Sequence, residues 1–116
     1  MAPLWRLSGS DRFAALRRTR HRARSGPLRV SWVPAPAPAP DGAGAPPRVA
    51  FAIGRRVGPA VVRNRLRRRL RAVLVDLEVP PGDYLVGCDP DAATLSFPEL
   101  KALVSKVLSE LSPANR

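Results

Sequence analysis

Apolar positions along this chain recur with two periods, and the two sort it into strands and helices. Leu28, Val30 and Trp32 alternate with Arg29 and Ser31, the period of a half-buried strand over residues 28–33. Residues 48–53 form a second strand candidate. Tyr84 to Cys88, bounded by Pro80-Pro81-Gly82 and by Asp89-Pro90, form a third whose short apolar run predicts burial. Between the first two lie residues 34–47, with six prolines and otherwise only alanine, glycine and Asp41. Such a stretch favours extended backbone and buries nothing, so it is expected to be a loop around which these strands pair as a hairpin.

Helical spacing marks three further segments. Leu100, Leu103, Val104, Val107, Leu108 and Leu111 make one apolar stripe, preceded by Ser96 and Glu99 at the spacing of a capping box and by Leu95 placed to staple onto Leu100. Val62, Leu66, Leu70, Val73 and Leu77 are spaced by four, four, three and four, with Leu74 widening the stripe. Gly58-Pro59 suits the start of that helix. A first helix is expected from Ser10, with Asp11 in its first turn and Phe13 and Leu16 opening an apolar edge. That edge dissolves into Arg17, Arg18, Arg20, Arg22 and Arg24, so the helix's second half is too charged to be core.

Charge changes the picture from a small packed domain to one that meets a polyanion. The 116 residues carry a formal net charge of +11, divided unevenly. Residues 1–71 hold 17 arginines against Asp11 and Asp41, a net of +15, whereas residues 72–116 have a net of −4. The length predicts a single domain over residues 1–116, with residues 1–7, Trp5 among them, expected to be flexible. No uncharged run outside the Pro/Ala stretch approaches the length of a membrane span, and Met1 to Ser10 lacks the apolar core of a signal peptide. The expected address is the cytoplasm, with no membrane partner. One cysteine, Cys88, and one histidine, His21, leave most self-contained enzyme mechanisms short of parts, so no catalytic residue and no protein-held metal site is expected. Cys88 reads as a small core residue, and Asp89 and Asp91 around Pro90 read as a turn.

The middle helix carries the chemistry. Its non-apolar arc consists of Asn64, Arg65, Arg67, Arg68, Arg69 and Arg71, with Arg63 at the edge. The like-charged pairs 63/67, 65/69 and 67/71 lie at i,i+4, each costing about 0.2–0.5 kcal/mol in an isolated helix. No acid lies between Ile53 and Asp76 to relieve them. Such a face makes sense when a polyanion neutralises it, and guanidinium suits phosphate. Asn64, a middling helix former, reads as a hydrogen-bonding element to RNA or to a neighbouring strand.

Phe51 to Arg71, Phe-Ala-Ile-Gly-Arg-Arg-Val-Gly-Pro-Ala-Val-Val-Arg-Asn-Arg-Leu-Arg-Arg-Arg-Leu-Arg, closely resembles the signature of the bacterial ribonuclease P protein component. That pattern is a strand ending in a basic pair, then Gly-x-Ala-Val-x-Arg-Asn-Arg and a basic helix. Asp11-Arg12-Phe13 resembles the family's start of the first helix, and Leu95 to Leu100 the start of its last. The resemblance implies a single α/β (α+β), ribosomal-protein-like domain ordered helix, three strands, helix, strand, helix, with a left-handed βαβ crossover. One strand is then missing from the reading above, and Val57 or a split of residues 28–53 is expected to supply it. The implied function is that of the protein subunit of ribonuclease P, which binds a catalytic RNA subunit and precursor tRNA and promotes removal of the 5′ leader. The Mg²⁺ ions are then held mainly by the RNA, and no obligate protein partner is needed. Carried over residue by residue, Arg55, Arg56, Arg63, Asn64, Arg65, Arg67, Arg68 and Arg71 face RNA. Phe13, Arg17 and Trp32 border a leader cleft between the first helix and the sheet. The competing reading is a structural, ribosomal-type RNA-binding protein with no processing role.

Overall fold

A computed structural model describes residues 4–35 and 46–111. Its centre is the most deeply buried strand of the sheet, β5 (Gly82–Cys88), where Gly82, Tyr84, Val86, Gly87 and Cys88 are all buried. On one side β3 (Leu28–Pro34) pairs with it antiparallel, Val30 opposite Val86 and Trp32 opposite Tyr84. On the other, β4 (Arg48–Ala52) pairs with it in parallel, Val49 opposite Tyr84. The two strands expected to form a hairpin around the proline-rich loop therefore do not touch each other. An apolar strand gains most by being covered on both edges and both faces, so β5 takes the middle. The connection after β3 then has to step across it, a distance of two strand spacings or about 10 Å. Residues 36–45 of that connection lie outside the described residues.

The missing strand comes from the arginine-rich segment expected to extend the first helix. Helix α1 stops at Arg18 (Ser10–Arg18), and β2 (His21–Ser25) folds back on β3 as a hairpin turning at Gly26-Pro27, with Gly26 at φ 55°. His21, Ala23 and Ser25 point to the same side as Trp32, Val30 and Leu28, while Arg22 and Arg24 point to the other. Val57 belongs instead to a 3-10 turn, Arg55–Val57, buried against the core. Residues 4–7, expected to be flexible, are docked: Trp5–Arg6 form a short strand, β1, parallel to β4, and Leu7 is buried. Residues 1–3 lie outside the described residues. The sheet order is β1-β4-β5-β3-β2.

Helices α2 (Ala60–Asp76) and α3 (Phe97–Leu111) cover one face. Leu66, Leu70, Val73 and Leu74 of α2 and Leu100, Val104, Val107 and Leu111 of α3 interdigitate there with Leu28, Val30, Trp32, Val49, Tyr84, Val86 and Cys88 of the sheet. Each fully buried Leu or Val removed from water stabilises the fold by about 1.5–3 kcal/mol before entropy is counted. The capping box at α3 forms as the sequence predicts: the Ser96 amide donates to Glu99 Oε1 (2.8 Å) and the Glu99 amide to Ser96 Oγ (3.3 Å). Helix α2 starts differently. Pro59 stands at the cap rather than in the first turn, and its carbonyl accepts from the amides of Val62 and Arg63, both at 3.0 Å.

Gly82 shows how tightly β3 and β5 are fitted. Its φ is 140°, and a Cβ added there would come within 2.4 Å of Trp32 Nε1 and 2.5 Å of the Val33 carbonyl oxygen. Trp32 is stacked on Tyr84, ring centroids 6.0 Å apart, and its Nε1 donates to the Pro81 carbonyl. The opposite face of the sheet carries α1, anchored where Arg12 pairs with Asp83 at 3.1 Å and where Leu16 is fully buried. Two helices thus seal one side, and one short helix leaves much of the other open.

Candidate nucleic-acid interface

Helix α2 displays its arginines because its apolar residues fall on one stripe, so everything else points away from the core. Their fates divide. Arg63 Nε donates to the Gly58 carbonyl (3.1 Å), Arg67 Nη1 to Asn64 Oδ1 (2.7 Å), Arg69 Nη1 to the Leu95 carbonyl (3.1 Å) and Arg71 Nη1 to the Leu4 carbonyl (3.4 Å). These four are half-buried and find neutral oxygens that spread their charge without cancelling it. Arg65 and Arg68 are exposed and make no hydrogen bond or ion pair with the described residues, as are Arg55 and Arg56 on the turn that precedes the helix. Asn64 reaches neither a strand nor another element; it holds Arg67 on its own helix. Arg69 is a tether between α2 and the chain leading into α3.

Among the described residues no carboxylate forms an ion pair with this face, although Asp76 and Glu78 border a concavity with Arg68 and Arg71. Asp83 is taken by Arg12, Asp89 by Arg24 and Arg29 together, and Asp76 by Lys101. The positive field over residues 55–71 is therefore not neutralised by the fold. The same ion pairs bear on Mg²⁺: among the described residues no three of His, Cys, Asp and Glu cluster as a metal site, and a hard cation wants several oxygens at once. The donor set of the described residues does not fit a resident Mg²⁺.

A groove of about 610 Å³ runs round the open edge of β4 beyond the short β1, lined by Arg6, Leu7, Phe13, Phe51, Arg67 and Arg71 among others. It brings Phe13 of α1 to the arginines of α2, two sets that belong to opposite faces of the sheet. The guanidinium of Arg71 lies over the Phe51 ring, 5.9 Å from its centroid. A second concavity of about 400 Å³ lies on the open sheet face, walled by Arg22, Arg24 and Arg29 over a floor of Ser31, Ala52, Leu85 and Gly87. Arg29 lies flat across Gly87, where a Cβ would come within 2.9 Å of its guanidinium. Arg22 closes the end of α1, donating to the carbonyls of Leu16 (3.1 Å), Arg17 and Thr19 (3.2 Å).

Of the three residues carried over to a leader cleft, Phe13 is half-buried in the groove and Arg17 is exposed at the end of α1. Trp32 does not fit that role. It is only 7% exposed, on the helix-covered side of the sheet, so its ring offers no face to a ligand. The alternation with Leu28 and Val30 already carried that answer, since all three share the core-facing register. What sequence reading missed is the wall that Arg22 and Arg24, hidden in a run that looked like a charged helix end, form with Arg29 of β3. The signal for Arg22 and Arg24 was the period of two in His21-Arg22-Ala23-Arg24-Ser25. Cys88 is core: burial pushes its thiol up to about 11, although nearby Arg29 works in the other direction.

Fold and surface together define an α+β domain that lays an arginine-faced helix over one side of a mixed sheet and leaves a basic, partly open surface on the other. The chain belongs to the ribonuclease P family, whose model, described as Ribonuclease P, matches residues 1–112. Curated relatives named ribonuclease P protein component include one from Thermus oshimai, 35% identical over 109 residues covering 94% of this chain and 66% of the relative. Another, from Thermobifida fusca, is 38% identical over 102 residues, 85% of this chain and 69% of the relative. The chain spans about two thirds of the length of these two, and 52% of a relative from Thermus aquaticus. Among solved structures it is similar to the RNase P protein of Thermotoga maritima, with a TM-score of 0.74, 17% identity and 92% of this chain and 97% of that one covered. The Staphylococcus aureus RNase P protein gives a TM-score of 0.73 at 16% identity, covering 90% and 93%. At these identities the structures speak for the fold.

Proposed function

We propose that this chain is the protein subunit of a cytoplasmic ribonuclease P holoenzyme: it binds the catalytic RNA subunit and the 5′ leader of precursor tRNA and promotes Mg²⁺-dependent removal of the leader. The observation that carries this reading is the set of exposed guanidinium groups, Arg55 and Arg56 on the turn before α2 and Arg65 and Arg68 on α2 itself, that find no partner among the described residues, next to a helix with no acid before its last residue. Phosphate is the ligand that such a face lacks. In this reading hydrolysis belongs to the RNA subunit and to the Mg²⁺ ions held there, and among the described residues no three of His, Cys, Asp and Glu gather as a rival metal site. The protein's part is to screen phosphate repulsion where two RNAs approach each other and to hold the unpaired leader. Arg55, Arg56, Arg63, Arg65, Arg67, Arg68 and Arg71 face the RNA subunit, with Asn64 holding Arg67 in place. Phe13 in the groove, with Arg17 nearby on α1, contacts the leader.

The test is cleavage of a precursor tRNA by the cognate RNA subunit at low Mg²⁺, with and without this protein. Accurate 5′ processing restored by the protein supports the reading. RNA binding without any effect on cleavage replaces it with a structural RNA-binding role.

A further inference from the structure

Burial does not account for Trp5. It is the most exposed large apolar residue of the sheet, at 46%, although the backbone that bears it is firmly held. The Trp5 amide donates to the Pro47 carbonyl (2.8 Å), the Leu7 amide to the Val49 carbonyl (3.1 Å), and the Leu4 carbonyl accepts from Arg71. The buried Leu7 completes the anchor. A strand of two residues needs no indole to dock. The ring is nonetheless oriented: Trp5 stands opposite Arg48 in the parallel register, and the Arg48 guanidinium lies over it, 5.2 Å from the ring centroid.

Register places this pair. Arg48 is opposite Asp83, so Trp5, Arg48 and Asp83 form one cross-strand row on the side of the sheet that carries α1, and Arg12 of α1 neutralises Asp83. The residues after Trp5, Arg6 and Leu7, are already in the wall of the groove that holds Phe13, Arg67 and Arg71. An indole fixed by a guanidinium at the rim of a basic groove offers a π-face for stacking and two cations, Arg48 and Arg6, for the flanking phosphates. An unpaired nucleobase matches both demands, and stacking tolerates any base.

We propose that Trp5, held by Arg48, is a stacking site for an unpaired base of the single-stranded leader, extending the groove beyond Phe13. This rests on the function proposed above. The test uses the full-length protein assembled with its RNA subunit, and compares binding of a precursor tRNA bearing a long leader with binding of leaderless tRNA. Trp5→Ala should weaken long-leader binding by roughly 5- to 100-fold and leave leaderless binding unchanged, with Trp5→Phe recovering most of the loss. A uridine dodecanucleotide should quench the tryptophan emission of the wild-type protein and not that of Trp5→Phe, whose remaining emission from Trp32 also reports that the fold is intact. Long-leader binding unaltered in Trp5→Ala overturns the site, as does an equal loss for both substrates, which would put Trp5 against the RNA subunit. If the wild-type protein adds nothing to long-leader binding over the RNA alone, the proposed function itself fails, and this site with it.

Discussion

Helices α2 and α3 lie side by side on one face of the sheet and each buries four residues in the same core, yet they are built for different work. Helix α3 is balanced on its outer side, Glu99 and Glu110 against Lys101 and Lys106, and its start is closed by a reciprocal pair of hydrogen bonds. Helix α2 has six arginines and one acid, Asp76, and no side-chain cap. Both gain stability from the apolar stripe. Only α3 improves on it with its surface; α2 accepts i,i+4 repulsion for a function that lies outside the molecule. The core therefore hides the difference, and the outer faces reveal it.

The comparison breaks most visibly if the two stripes are not equivalent. Leu70 of α2 and Leu100 of α3 are both fully buried. Leu70→Ala and Leu100→Ala should each cost about 2–5 kcal/mol in urea denaturation. A cost confined to Leu100 would mean that α2 is held on by RNA and not by the core.

The outer faces should then separate. Arg65→Ala with Arg68→Ala should leave urea stability within about 0.5 kcal/mol, because both side chains are exposed and make no hydrogen bond or ion pair with the described residues. The same double variant should reduce the slope of log affinity for the RNA subunit against log salt by roughly 1.4–1.8, about 0.7–0.9 for each lost phosphate contact. Arg69→Ala should do the reverse. It loses the hydrogen bond to the Leu95 carbonyl, at a cost of about 1 kcal/mol, and leaves the salt slope near wild type. A shared response of Arg68 and Arg69 would erase the division between free and tethered arginines.

That division was not legible in the sequence, and the reason is physical. The amphipathic stripe of α2 is visible because Leu and Val contrast sharply with Arg. The acceptors for Arg69 and Arg71 are backbone carbonyls of Leu95 and Leu4, which no side-chain pattern announces. Strand β2 escaped for a related reason: its inward positions are His21, Ala23 and Ser25, too weakly apolar to make a period of two stand out among arginines. Sheet order escaped because a long proline-rich connection does not say which strand is its neighbour, and the short apolar run of residues 84–88 predicted burial but not a place between β3 and β4. The capping box of α3, by contrast, was read directly, since local hydrogen bonds depend only on local spacing. The family signature pointed to the arginine face of α2, whereas Trp32, set beside the leader cleft, lies buried on the helix-covered side of the sheet.

The start of α3 gives a smaller effect. Ser96→Ala should cost about 1 kcal/mol of stability, as loss of a helix cap does, with no change in RNA binding. Its partner supplies a pH signature. The hydrogen bonds from the backbone and side chain of Ser96 lower the pKa of Glu99 from the ordinary 4.5. A carboxylate whose folded pKa is depressed contributes stability that is present above its unfolded value and lost as pH falls through the folded one. Acid titration of the wild type should therefore show a loss below about pH 4.5 that Glu99→Gln lacks.

The smallest effect belongs to the one ion pair that joins the two helices. Asp76, the last residue and sole acid of α2, borders a concavity with Arg68 and Arg71 but forms no ion pair with that helix's arginines. It pairs across to Lys101 of α3, with both side chains about half exposed. An exposed pair of this kind is worth about 0–1 kcal/mol and is screened by salt. Lys101→Ala should thus cost at most about 1 kcal/mol at low ionic strength and nothing measurable in molar salt. Asp76→Asn should behave alike and leave affinity for RNA unchanged. A clear gain in affinity from Asp76→Asn would show that this carboxylate had been tempering the arginine face after all, and the separation between a helix for packing and a helix for binding would have to be drawn at the last turn of α2.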